Sequence, residues 1–172
     1  MKLFALYIGG STATSMIELH DVRFVIAETI EDTYDDLRRD WWGTPESLHI
    51  DCWGELTCAD GYNITLRDRP QEGVEEKLFF VNLGGYDPAE FQELHKNIFV
   101  VAPTESKAKV KALKTVHGWA SRHEDYTYDV ERMVNISALA AEKSLHIHLE
   151  ATKSPAPFTF SCKYRPLGKK TA

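Results

Sequence analysis

No apolar run in the chain approaches the ~20 residues that cross a bilayer as a helix, so no membrane span is expected. Cysteine is scarce: Cys52, Cys58 and Cys162 are odd in number and form no Cys-x-x-Cys pair. That argues against a disulfide framework or a zinc knuckle and fits a reducing cytoplasm. Basic charge is in deficit, 20 Lys and Arg against 26 Asp and Glu, for a formal net charge of −6. No broad attraction to nucleic acid or an anionic membrane follows, so neither is favoured as a partner. Signature motifs are missing too. Gly9-Gly10 and Gly84-Gly85 lack both the third glycine of a dinucleotide loop and the Gly-Lys-Ser/Thr of a P-loop. No Gly-x-Ser-x-Gly elbow serves nucleophilic catalysis, and the three thiols read as packing residues. What remains is ordinary: 172 residues, 43% hydrophobic and 27% charged.

Against those absences stands a repetition. KLFALYIGG at Lys2–Gly10 returns as KLFFVNLGG at Lys77–Gly85, and ELHDVRFVIAET at Glu18–Thr29 returns as ELHKNIFVVAPT at Glu93–Thr104. Twelve of the 28 aligned positions are identical, where chance gives about two. The chain reads as an internal duplication. The N-terminal run resembles a signal peptide only superficially, because it is short and recurs inside the chain. It reads as a strand.

Leu3–Ile8 ends in a glycine pair, and Glu18–Ala27 alternates apolar and polar residues, which predicts two strands. Thr29 with Asp32 forms a loose capping box ahead of a helix over Ile30–Trp42, which Gly43-Thr44-Pro45 stops. Leu48–Thr57 and Tyr62–Leu66 are strands, the latter entered through an Asp60-Gly61 hairpin signal. The second half is expected to repeat the plan: strands Leu78–Leu83 and Glu93–Ala102, a helix over Glu105–His117, then strands Asp125–Ser137 and Leu145–Glu150. The expected fold class is α+β, two tandem β-β-α-β-β repeats packed with pseudo-twofold symmetry. Residues 1–67 form the first repeat, 68–76 a polar linker, 77–151 the second repeat and 152–172 an extended tail. Phe158, Phe160 and Tyr164 would dock that tail, with Lys169–Ala172 loose.

KLFALYIGG, ELHDVRFVIAET, Trp42-Gly43, LHIDCW and GYNITL together resemble the bacterial family catalogued as domain of unknown function 1543. The resemblance covers most of the first repeat and, more weakly, the second. It implies one or two copies of such a domain and no activity, cofactor or catalytic residue.

The chemistry-bearing pattern is histidine beside acid, present twice. Glu18-x-His20 and His49-x-Asp51 are matched by Glu93-x-His95 and His123-x-Asp125. On a strand, residues i and i+2 share a face, so each pair presents an imidazole and a carboxylate together. Converging, they would suit zinc, manganese or non-haem iron, or a carboxylate-oriented general base. The plainer account is hydrogen-bonded edge histidines, since His-x-Asp is common. The two helices differ in charge: acidic near 30–42, and basic near 105–117 through Lys107, Lys109, Lys111 and Lys114. They are solvated faces, or they meet a protein partner or each other in self-association. Trp41, Trp42, Trp53 and Trp119 read as anchors between helix and sheet.

The preferred reading is a cytoplasmic, non-enzymatic binding or protein-interaction module with no cofactor. The alternative is a small metal-dependent or His/carboxylate enzyme built on Glu18, His20, His49 and Asp51, mirrored by Glu93, His95, His123 and Asp125, holding a divalent transition metal.

Overall fold

The computed structural model of the protein describes residues 1–116 and 129–168. The expectations placed on Trp119, His123, Asp125 and residues 169–172 lie outside them. The described residues form an α+β fold with ten strands in three antiparallel sheets and three α-helices. In chain order the first elements are β1 (Lys2–Gly10), β2 (Leu19–Ala27), α1 (Tyr34–Asp40), β3 (His49–Glu55), β4 (Cys58–Ala59) and β5 (Tyr62–Arg67). Then come β6 (Lys77–Tyr86), β7 (Glu93–Ala102), α2 (Glu105–Leu113), β8 (Asp129–Asn135), α3 (Ile136–Glu142), β9 (His146–Ala151) and β10 (Ser161–Pro166).

Two compact units result, and they cut the chain differently from the repeats read in the sequence. One comprises Met1–Thr57 with Pro157–Ala172, the other Cys58–Ala156. The division falls before the β4–β5 hairpin, not in 68–76, because β5 pairs with β9 in the second unit.

The first unit is a sheet in the order β10-β3-β1-β2. Phe4, Leu6 and Ile8 alternate onto one face of β1 and join Leu37 of α1, Trp41, Leu48, Ile50 and Leu167 in a buried core. The helix is shorter than the sequence pattern suggests: a 3₁₀ turn at Glu31–Thr33 opens it and α1 stops at Asp40. The Thr29–Asp32 box does form, the Thr29 hydroxyl and amide both bonding the Asp32 carboxylate at 2.7 and 2.9 Å. Trp41 is buried, but Trp42 is 52% exposed and lies over the Trp41 ring at 4.9 Å instead of in the core.

Strict alternation along β3 fails at one residue. Ile8 pairs with Ile50 and Tyr7 with Cys52, so Asp51 is the extra residue of a β-bulge. A bulge puts two consecutive side chains on one side. Cys52 therefore shares the face of Tyr7, where alternation had placed it opposite His49 and Asp51. Trp53, aligned with Leu6, packs on the core against Phe4.

The cysteine expectation is also corrected. Cys52 and Cys162 lie directly opposite on β3 and β10, Cα atoms 4.1 Å apart, and are joined in a disulfide. Cys58 is buried with a free thiol. The tail is thus an edge strand held by pairing, by this bond and by Leu167, 2% exposed, while Phe160 and Tyr164 stay exposed.

The second unit holds two sheets, β4-β5-β9 and β7-β6-β8. Asp60 and Gly61 take φ of 52° and 85°, the paired positive values of a two-residue hairpin turn. Phe79, Val81, Leu83 and Val100 pack beneath Ala108 and Ala112 of α2, which the Thr104 side chain caps. The expected strand over Asp125–Ser137 instead ends at Asn135, whose side chain caps α3. The Ala-rich run after it has too few β-branched residues to extend a strand.

Leu167→Ala is expected to cost about 2–5 kcal/mol, as for buried leucines generally, read as a lower urea midpoint at unchanged slope.

Candidate functional site

Gly9 is where the sequence candidates meet. It pairs with His20 on one side and His49 on the other, so both imidazoles share its face, away from the core. Glu18 lies two residues before His20 and Asp51 two residues after His49, so both carboxylates come to the same side. Glycine is required here by close approach: a Cβ would come within 2.6 Å of His49 Nε2 and 2.9 Å of Asp51 Oδ2.

The distances are short and reciprocal. His49 Nε2 is 3.0 Å from Glu18 Oε1 and 3.3 Å from Asp51 Oδ1. His20 Nε2 is 3.3 Å from Glu18 Oε2 and 3.6 Å from Asp51 Oδ2. Each carboxylate offers one oxygen to each imidazole. Asp51 Oδ2 is buried and has no hydrogen-bond partner among the described residues.

His49 is 4% exposed, and its protonation pattern follows from its neighbours. Its Nδ1 lies 2.8 Å from the Ser47 carbonyl, which can only accept, so Nδ1 carries a hydrogen. Nε2 then faces two carboxylates, which are also acceptors. A proton or a metal ion must sit between them. Ser47 is itself fixed, its hydroxyl meeting Thr44 O at 2.7 Å and receiving the Ser11 amide at 2.9 Å. Donating the remote ring nitrogen to a carbonyl is how metal-ligating histidines are oriented.

The donor types suit an ion. The four imidazole–carboxylate separations run from 3.0 to 3.6 Å, each carboxylate meeting the two imidazoles through different oxygens, as paired contacts around a ring. Two imidazoles and two carboxylates suit zinc, manganese or iron(II). General-base work by His49 fits less well, because both ring nitrogens already have partners. Tyr7 stacks on His20 at 5.1 Å, and its phenol pKa is raised by burial, then by the Asp51 and Glu18 charges. Tyr164 covers His49 at 4.6 Å.

The second unit carries a related cluster. Gly84 pairs with His95 and with Asp129, and Glu131 is the extra residue of a bulge at the same place in the ladder. Glu93, His95 and Glu131 bring one ligand atom each within 4.8 Å of one another, with His95 Nε2 3.0 Å from Glu131 Oε2. So Glu131 occupies the position of Asp51, and Asp129 aligns with His49. Sequence reasoning missed Glu131, having matched His123-x-Asp125 by pattern. The glycines are 75 residues apart, but the third strands are 80 apart, and that insertion hid the alignment. Burial first, then a hydrogen bond and repulsion from Glu93, push the Glu131 pKa up, while His95 pulls it down.

Comparison with known proteins places the chain. The crystal structure of a protein Il1583 from Idiomarina loihiensis is 30% identical, covers 96% of this chain and 97% of its own, and superposes with a TM-score of 0.66. The sequence profile described as Domain of Unknown Function (DUF1543) matches residues 15–66. The chain belongs to this family. No curated protein matches it. The segment matched to DUF1543 contains all four of Glu18, His20, His49 and Asp51. Among the described residues no helix is long and apolar enough to cross a membrane.

Two outcomes follow. Gly9→Ala should separate Nε2 of His49 from Asp51 and lower the melting temperature, whereas Gly61→Ala, with open space at its Cβ and only a strained φ, should cost about 1 kcal/mol. Glu131→Gln should raise the melting temperature at neutral pH and do nothing below the ordinary carboxylate pKa. The raised folded pKa makes ionised Glu131 unfavourable as pH climbs, and glutamine removes that penalty.

Proposed function

We propose that this protein binds a divalent transition metal through Glu18, His20, His49 and Asp51. The observation that carries the reading is the buried His49, its Nδ1 hydrogen committed to the Ser47 carbonyl and its Nε2 aimed at two carboxylates at 3.0 and 3.3 Å. A proton or a metal ion joins these groups, and the reading takes it to be a metal because a second imidazole, His20, meets the same two carboxylates. When bound, the ion would polarise an oxygen ligand or a coordinated water. Glu18 and His20 are partly exposed, so the centre has a solvent side where such an oxygen could enter. Metal-dependent chemistry at that opening is the form of function the geometry supports best.

The repeated ladder around Gly9 and Gly84 supports reading the two halves as duplicates of one unit, each with its own site. The sites have diverged. The second, with two carboxylates, Glu93 and Glu131, and one imidazole, His95, is richer in oxygen and should favour harder cations.

The interaction module drawn from helix charge has weaker support. In α1, Arg38 and Arg39 already pair with Asp35, Asp36 and Asp40, and Lys111 of α2 pairs with Asp60. The charges of α1 are thus largely spent locally, and so is that of Lys111. A cytoplasmic location rested on the cysteine count, and the Cys52–Cys162 bond weighs against a permanently reducing compartment.

Calorimetric titration of chelator-treated protein with zinc and with manganese tests the proposal. One ion should bind tightly to the first site, and His49→Ala and Asp51→Asn should each weaken it at least a hundredfold with folding retained. Binding unchanged in both variants would remove the site.

A further inference from the structure

Asp51 has an unusual place in its sheet. On the β1 side the ladder passes from Tyr7↔Cys52 to Ile8↔Ile50, and on the β10 side from Cys162↔Cys52 to Arg165↔Ile50. Both ladders skip Asp51. No strand neighbour pins its backbone in register, and its buried Oδ2 is also without a hydrogen bond among the described residues. Its two neighbours are both held, Ile50 by pairing with Ile8 and Arg165, and Cys52 by pairing with Tyr7 and by the bond to Cys162. Two residues beyond Cys162, in the same gap, Tyr164 lays its ring over His49. Disulfide, bulge carboxylate, buried imidazole and covering tyrosine therefore lie on one face within a few residues of strand.

We infer that the Cys52–Cys162 disulfide is a redox control on metal affinity at the Glu18–His20–His49–Asp51 centre; this rests on the proposed metal binding there. In the oxidised form the bond holds Asp51 against the two imidazoles and keeps Tyr164 over His49. A dithiol reductant supplies two electrons and two protons. The S–S bond breaks to two thiols, and the reductant closes its own disulfide. With that bond gone, the edge strand β10 is free to lift at residues 161–164 and to take Tyr164 off His49, and the bulge at Asp51 is held from the β1 side alone, through Ile50 and Cys52. Its far end stays fastened, through Leu167 and Gly168 amides on Leu48 O and Arg165 on Glu31. Reduction should loosen the site without unfolding the unit. Supporting groups that orient metal ligands commonly account for about ten- to hundredfold in affinity.

The experiment is manganese titration followed by electron paramagnetic resonance of the free ion, under argon. Metal-free full-length protein is compared as purified, after dithiothreitol and desalting, and after reoxidation with diamide. The expected result is at least tenfold weaker binding on reduction, restored by diamide. Cys162→Ser should bind weakly whether or not reductant is present, with its circular dichroism showing the native fold. If that variant fails to fold, the reduced and reoxidised wild-type samples decide alone. Equal affinity in oxidised and reduced protein overturns the redox control and leaves the metal centre standing. No binding in the oxidised protein removes both.

Discussion

The first unit depends on one arrangement: the imidazole of His49, clamped at Nδ1 by the Ser47 carbonyl and presented at Nε2 to Glu18 and Asp51. A histidine this buried, facing two acceptors, costs stability unless a cation joins them. The surrounding features serve that contact. A Cβ on Gly9 would strike Nε2, and Asp51, two residues past His49, shares its face. Ser47 is locked by hydrogen bonds to Ser11 and Thr44 so that its carbonyl cannot turn away. A sheet that only needed a core would keep its ladder whole here.

Much of this was legible in the sequence, for reasons that are local. The β1–β2 and β6–β7 hairpins follow from alternation and from glycine pairs, and the repeat itself gave their equivalence. Asp60-Gly61 formed the hairpin its dipeptide signals, because few other residues tolerate two positive φ angles. Glu18, His20, His49 and Asp51 were legible as a group because each pair sits at i and i+2 on a strand. Their convergence required β2 and β3 to flank β1, which no local pattern states.

What stayed hidden is non-local or breaks a period. Nothing near Cys162 shows that β10 lies beside β3, so the pairing of cysteines 110 positions apart was unreadable. The bulge at Asp51 shifts the face of every later residue in β3, which reversed the expected sides of Cys52 and Trp53. Glu131 was missed because the third strand of the second half lies 80 positions on, not 75, and a His-x-Asp pattern near the expected place, His123-x-Asp125, drew the match instead. α3 lies in a stretch whose strand reading ignored its alanines.

X-ray absorption at the zinc or manganese K-edge of metal-loaded oxidised protein tests the central claim most directly. The account requires a first shell of nitrogen and oxygen at about 2.0–2.2 Å, two imidazoles visible in the outer shells, and no sulfur. A shell of waters alone, or sulfur at about 2.3 Å, would contradict it.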